Sequence, residues 1–379
     1  MKIVYCSDAL IPDTPANTVH IMRMCNAFAN QGHQVVLCAH AEESDLKDIE
    51  DVYGFYGVEN NFDIVKFRCP EISGGALIYA LKVKRLIKKF EPDIVYGRSL
   101  YCAYFASMIK NAKVILELHK GIEKASKEAL FFRRIIACSA VKGLVVISES
   151  LKEYYVKEWK IEPEIIKVAH DAAVEPKRTR EIEFCNIGDY ELNAGYIGHL
   201  YQGRGIDVIL EVAKLCPTVY FTIVGGNTKD VSYWRKRCRE CGSTNVQFKG
   251  YVSPSEVANY GMKFDVLLAP YQEKVFCGTE ARSKQETSKW MSPLKVFEYM
   301  SYGKPIVCSD LPALRAILKD KETAIFCPCD VPEKWAEAIE WIMNNRELAI
   351  KIGQNAYQEF QNNYTWDQRA KKVLDIPVK

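Results

Sequence analysis

The chain has no run of about 18 consecutive apolar residues, so no stretch of it is long enough to cross a bilayer as a single helix. It has almost no excess charge of either sign: 51 Lys and Arg stand against 48 Asp and Glu, a net charge of +3, which leaves no global footprint for nucleic acid. Low-complexity tracts and repeats of solenoid period are absent. Met1-Lys-Ile-Val-Tyr-Cys6 lacks the long apolar core of a secretion signal and reads as a first strand, so a cytoplasmic protein is expected. Cys238-Arg-Glu-Cys241 and Cys327-Pro-Cys329 have no Cys/His pair at finger spacing, and no structural metal is expected. Of the 14 cysteines, Cys6, Cys38, Cys138, Cys216 and Cys308 sit among apolar residues, where free thiols behave as small hydrophobes, and a reducing compartment is expected. No Gly-x-Gly-x-x-Gly follows the first strand, where Ser7-Asp-Ala-Leu-Ile-Pro12 stands instead, and this argues against a dinucleotide-dependent dehydrogenase.

What is present is alternation. At 379 residues, with 48% hydrophobic and 26% charged residues, the chain has room for two domains of roughly 180 residues each. Short β-branched runs recur at 2–7, 33–38, 62–68, 94–96, 113–118, 143–147 and 166–168, with helical patterns filling most gaps. A polar stretch from Glu175 to Arg180 reads as a hinge. The same β/α order then resumes at 194–198, 219–224, 246–248, 266–269, 305–309 and 323–326, and helices follow at 335–343, 347–360 and 364–374. The expected fold class is α/β, with two doubly wound parallel sheets and a ligand cleft outside the carboxyl ends of the strands. The expected divisions are 1–180, 181–362 and a final helix, 363–379, crossing back to the first domain.

Ser292 to Asp310 carries the densest signal. Ser292 suits a helix N-cap, Pro293 the first helical position and Gly303 the left-handed residue after the last turn. The amides of Leu294 and Lys295 are then open donors at the positive end of a helix, which suits a phosphate. Glu298 lies about 7.5 Å along the axis from Pro293, where a carboxylate can take hydroxyls. Any helix of a parallel α/β layer shares these caps, so the pattern also fits a purely structural unit. Gly198-His-Leu-Tyr-Gln-Gly-Arg204-Gly205 follows a strand and opens a helix; two glycines let backbone approach a ligand, while His199 and Arg204 supply positive charge. His119 ends a strand at the same kind of edge. Asn17 and Thr18, in the first loop, point to that edge or cap the helix near Val19. Ala76 to Phe90 is a basic helix with apolar residues at 77, 78, 81, 86 and 90, and Phe131 to Ile136 adds a second apolar and basic patch. Both suit either an anionic lipid surface or ordinary packing on a sheet.

In this order the motifs resemble the family 4 glycosyltransferases, retaining enzymes of group 1 with the GT-B fold of two Rossmann-like domains. The resemblance runs through Pro15-Ala-Asn-Thr-Val-His20, Glu117-Leu-His119, His170-Asp171, Tyr196 to Ile206, Ile223-Val-Gly-Gly226, Asp265 to Tyr271, the Ser292 stretch and Tyr364-Thr-Trp366. It implies a nucleoside-diphosphate sugar as donor substrate, of UDP or GDP type, with no cofactor and no metal. It implies a glycan or lipid-linked acceptor, and a role in cell-surface polysaccharide or glycolipid synthesis. Glu298 matches the acid that holds the ribose hydroxyls, Arg204 the cation on the diphosphate, Leu294 and Lys295 backbone contacts to the distal phosphate, and His119 a histidine beside the transferred sugar. Gly198, His199 and Pro293 complete the implied donor site, and Asn17 and Thr18 the acceptor-side loop. Two positions depart from the pattern: Trp290 stands where the family has a sugar-reading acid, and His199 replaces an arginine. No Asp-x-Asp pair occurs, in keeping with metal-free transfer. A nucleotide-sugar 2-epimerase, or a nucleotide-sugar-binding protein without turnover, would share the same architecture. Turnover of the donor separates the latter from a transferase.

Overall fold

The computed structural model describes residues 1–41, 49–177, 188–277, 285–286 and 288–375, organised as two compact units, Met1–Asp171 with Trp366–Lys379 and Ala172–Thr365. The division falls at Asp171 instead of residue 180, for a local reason. Asp171 is tied to His20 in the first unit, whereas the Ala173 amide donates to the Tyr364 carbonyl at 2.9 Å in the second. Of the anticipated hinge, 178–180 lies outside the described residues.

In the first unit the chain runs β1 (Lys2–Leu10), α1 (Ala16–Asn30), β2 (Gln34–His40), α2 (Val52–Tyr56), β3 (Asp63–Phe67), α3 (Gly75–Phe90), β4 (Ile94–Gly97), α4 (Leu100–Ser107), β5 (Val114–Leu118), α5 (Lys127–Ile136), β6 (Val141–Val146), α6 (Glu149–Trp159) and β7 (Ile166–Val168). All strands pair in parallel, in the order β3-β2-β1-β4-β5-β6-β7. Such strands are covered on both faces, which is why β4 and β5 are buried at every position.

Helix α3 does not bury the residues expected of it. Tyr79, Ala80, Val83 and Ile87 face inward, and the Tyr79 hydroxyl donates to the Ser7 carbonyl at 2.6 Å. Ile78 and Leu81 stay exposed beside Arg85, Lys88 and Lys89. In α5, Phe132 is fully buried and Phe131 meets Tyr101 and Tyr104 edge-on, so the outward face of that patch is Arg133 and Arg134.

The second unit runs β8 (Leu192–Ile197), α7 (Ile206–Leu215), β9 (Val219–Val224), α8 (Thr228–Cys241), β10 (Val246–Gly250), α9 (Val257–Gly261), β11 (Val266–Ala269), β12 (Phe276–Cys277), β13 (Gln285–Glu286), α10 (Leu294–Ser301), β14 (Ile306–Ser309), α11 (Pro312–Arg315), β15 (Ile325–Cys327), α12 (Pro332–Asn344) and α13 (Arg346–Asn363). Its main sheet is parallel, in the order β10-β9-β8-β11-β14-β15. Alternation divides the interior in two. Ala194, Tyr196, Phe221, Ile223, Val266 and Leu268 pack in one core, while Leu267, Ala269, Ile306 and Cys308 pack in the other with Phe297 and Met300 of α10. The last helix, α14 (Trp366–Leu374), lies in the first unit and buries Trp366, Arg369, Ala370 and Val373. The cysteines whose side chains are described are all free thiols.

Candidate functional site

The second unit brings its sequence-predicted residues together at the carboxyl edge of β8. After Ile197 the chain turns through Gly198, and the loop closes at Gly205, the residue before α7. Gly205 has φ +75°, and a Cβ there would stand 1.8 Å from the Pro270 carbonyl, so only glycine lets the loop lie this close to the neighbouring strand end. The Tyr196 hydroxyl donates to the His199 carbonyl at 2.6 Å and holds the loop against β8. The His199 ring stacks on Tyr201 at 4.7 Å. Burial first, then the charges of Arg204 and Lys295, push its pKa down to about 4, so it is neutral at pH 7.

Helix α10 starts one residue later than its caps suggest. Pro293 is itself the N-cap, its carbonyl takes the Val296 amide at 2.9 Å, and no side chain caps the helix. Pro293 has ψ 114°, extended and not helical, so it takes the N-cap position itself and leaves Ser292 one residue outside it. Leu294 and Lys295 therefore occupy the first two helical positions, where amides have no intrahelical acceptor. Gly303 does follow the last turn, with φ +64°.

The feature that spacing did not reveal is the Lys295 side chain. It is 8% exposed, and its Nζ has no hydrogen-bond partner. The ammonium sits 3.8 Å from the Tyr196 ring centroid and 4.7 Å from that of Tyr271, and the Arg204 guanidinium lies 5.3 Å from the same Tyr271 ring. A Cβ on Gly198 would be 3.2 Å from this Nζ, so the lysine reaches directly over the loop. Burial, then Arg204, hold the Lys295 pKa well below the usual lysine range, opposed by Glu298. Glu298, half-buried, stands three residues on along the same helix face. Two cations over one tyrosine ring, next to an uncapped helix start, form a strongly electropositive pocket suited to an anion.

In the first unit, His119 belongs to a buried network centred on Glu117, an acid in the middle of an apolar strand. The Arg369 guanidinium spans the carboxylate, with Nη2 2.9 Å from Oε1 and Nη1 3.3 Å from Oε2. His119 Nε2 lies 2.5 Å and His20 Nε2 2.9 Å from Oε1, and the Tyr96 hydroxyl donates to Oε2. His20 Nδ1 reaches Asp171 Oδ1 at 2.7 Å. Burial alone would raise the Glu117 pKa, but Arg369 and the two histidines outweigh it and hold the carboxyl well below the usual range. An ionised carboxylate only accepts, so His119 carries its proton on Nε2 and presents Nδ1 as a lone pair. Burial first, then Arg98, push the His119 pKa down to about 4. His20, Glu117 and His119 offer ligand atoms within 4.8 Å of one another, but the cationic guanidinium already occupies both carboxylate oxygens, which disfavours a metal ion there.

Asn17 and Thr18 cap nothing. Helix α1 starts at Ala16 behind Pro15, and the Thr18 hydroxyl, 1% exposed, turns back to the carbonyls of Asp13 and Pro15 at 2.9 and 2.8 Å. A threonine inside a first turn satisfies its hydroxyl on nearby backbone, which takes it away from the strand edge. Trp290 lies in the turn before α10, half-buried.

The two parallel sheets with these strand-end loops define a GT-B protein. Over residues 178–359 the sequence matches the family described as glycosyl transferases group 1, and over 18–172 that described as glycosyltransferase family 4. Only 1–17, 173–177 and 360–379 fall outside the two matches, and the chain belongs to these glycosyltransferases. It is similar to an uncharacterized glycosyltransferase of Methanocaldococcus jannaschii, 21% identical over 50% of this chain and 49% of that one, so it spans about half the length of that relative. It is also similar to one of the human phosphatidylinositol N-acetylglucosaminyltransferase subunits, with 20% identity over 99% of this chain and 76% of the human one. HepE of Anabaena, solved in complex with UDP and glucose, shares the fold with a TM-score of 0.74 at 13% identity, covering 99% of this chain and 98% of HepE.

Proposed function

We propose that this chain is a retaining, metal-independent glycosyltransferase. In this reading it moves a hexosyl group from a UDP- or GDP-type donor to a glycan or lipid-linked acceptor in cell-surface polysaccharide or glycolipid synthesis. The observation that carries the reading is the buried Lys295 ammonium, unpartnered beside Arg204 at the start of α10. A buried donor without an acceptor costs about 1–3 kcal/mol, more when charged, and a diphosphate would supply the missing acceptor. Solved HepE complexes with UDP and with UDP-glucose support the donor class.

The chemistry follows from where charge develops. As the bond from the anomeric carbon to the diphosphate oxygen breaks, negative charge grows on that oxygen, and Lys295, Arg204 and the first-turn amides stabilise it. The acceptor oxygen bonds the anomeric carbon from the same face, and its proton passes to the departing phosphate oxygen. Glu298 holds the ribose hydroxyls. His119, neutral at pH 7 and oriented by Glu117, serves the transferred sugar as a hydrogen-bonding group, not as an acid. Thermal unfolding with UDP, GDP, ADP and their sugars tests the donor site, because a ligand held only by the folded state stabilises it by about 2.7 kcal/mol at a hundredfold excess over its Kd. One diphosphate is expected to raise the midpoint by several degrees, and release of free sugar from the matching donor separates an enzyme from a sensor. A flat response to all of them ends the proposal.

On the acceptor side, Ile78 and Leu81 of α3 stand exposed among Arg85, Lys88 and Lys89, which fits a peripheral contact with an anionic membrane at the cytoplasmic face. No described helix is long and apolar enough to cross a membrane. Flotation with vesicles containing anionic lipid should carry the protein at low salt and release it at high salt, and a Lys88→Glu/Lys89→Glu variant should stay at the bottom. Flotation of that variant with the parent removes the membrane reading.

A further inference from the structure

The first unit's sheet reverses its winding between β1 and β4: from β1 the order runs outward to β2 and β3, and from β4 outward to β5, β6 and β7. In open α/β sheets the ligand crevice lies outside the strand carboxyl ends at such a reversal. Arg98 is the first residue past β4, and its amide donates to the Cys6 carbonyl of β1 at 2.9 Å. The next residue, Ser99, is 1% exposed and caps α4 by accepting the Cys102 amide at 3.2 Å. The backbone of Arg98 is thus pinned on both sides at the switch point.

Its side chain is not satisfied there. Nη1 is shielded from water and has no hydrogen-bond partner, and among the described residues Arg98 forms no ion pair. Asp8 of β1 is the acid whose charge Arg98 favours, yet it stands exposed to solvent and forms no ion pair with Arg98. After burial, Arg98 is also the strongest influence holding His119 neutral. Guanidinium, with five donors in a planar fork, matches the paired oxygens of phosphate or carboxylate.

We propose that Arg98 binds an oxyanion, phosphate or carboxylate, carried by the acceptor at the switch point of the first unit. The word acceptor rests on the transferase reading; the anion site does not. The acceptor class is then an acidic sugar or a phosphate-linked glycan, not a neutral one.

The test is a calorimetric titration with glucose 6-phosphate, glucuronate and glucose, on protein already saturated with whichever nucleoside diphosphate stabilises it. Running the same titration on Arg204→Ala keeps the second unit's cations from being mistaken for this site. Both anionic sugars, or one of them, should bind at least tenfold more tightly than glucose, and the more responsive one reports whether phosphate or carboxylate is read. Arg98→Gln should reduce that preference to within about twofold while keeping the diphosphate response, and Arg98→Lys should recover part of it. Equal binding of charged and neutral sugars, no binding of either anion, or an undiminished preference in Arg98→Gln would each overturn the proposal. If no diphosphate binds but the Arg98-dependent preference persists, the anion site stands and the transferase reading falls.

Discussion

Replacing Arg369 with alanine is expected to cost the first unit about 3–5 kcal/mol, a large part of the total stability of an ordinary domain. The guanidinium is 3% exposed and contacts both oxygens of Glu117, a side chain with no exposure at all, as well as the carbonyls of His170 and Ala169 at 2.8 and 3.2 Å. Removing it leaves a buried carboxylate with only histidine and tyrosine partners. Urea unfolding followed by far-UV circular dichroism should show an early transition for the variant. The double substitution Arg369→Met with Glu117→Gln should recover most of the loss, because the destabilisation comes from an unpaired buried charge and not from absence of the pair. An Arg369→Ala variant within about 1 kcal/mol of the parent would contradict the network as described.

The same network sets an acid limit. The folded Glu117 pKa is depressed, so its contribution is present above the unfolded value near 4.3 and is lost as pH falls through the folded one. His119 acts over a different window. Its folded pKa is about 4 against 6.5 for a free histidine, so below 6.5 the unfolded chain binds a proton that the folded chain refuses. Stability should therefore fall as pH drops from 6.5 toward 4, and the loss should shrink in His119→Asn.

The sheets were legible because buried parallel strands read as short apolar runs, and β7, β9 and β11 match their expected spans. Gly198 to Gly205 was legible as a strand-to-helix turn, because Gly198, Gly203 and Gly205 all take positive φ there. The Glu117 network was not. Its partner Arg369 is 252 residues away, and no local spacing links an acid in β5 to a base in α14. The one available signal was a carboxylate inside Val114-Ile-Leu-Glu-Leu118, since a buried acid demands a partner. Lys295 was read for its amide alone, because burial of a long cationic side chain under two tyrosines depends on β8 and the residues after β11 meeting beside α10, a tertiary fact. The Ser292 and Thr18 caps failed for a simpler reason: Pro293 and Pro15 occupy the N-cap positions themselves, which leaves Ser292 outside its helix and Thr18 inside the first turn of the other.

Lys295→Met and Arg204→Ala should separate stability from function in the second unit. Methionine keeps the stem packed against Tyr196 and Tyr271 and removes a buried amine that has no hydrogen-bond partner, so the ligand-free protein should unfold at a higher temperature than the parent. In the transferase reading proposed above, the same change removes a donor aimed at the developing phosphate charge. Loss of one such donor typically costs a hundred- to a thousandfold in kcat, and Arg204→Ala should fall in that range and lose the diphosphate thermal shift. The parent should also take up protons on binding the diphosphate, because an anion favours the charged form of His199, whose pKa is held down to about 4 in its absence. Calorimetry in buffers of differing ionisation enthalpy measures that uptake, and His199→Asn should reduce it. A stabilised apoprotein with a crippled turnover is the pattern of a site that accepts strain to meet its ligand, whereas a merely structural lysine would lose stability and leave turnover alone. Turnover within threefold of the parent in Lys295→Met would therefore remove this lysine from the donor site.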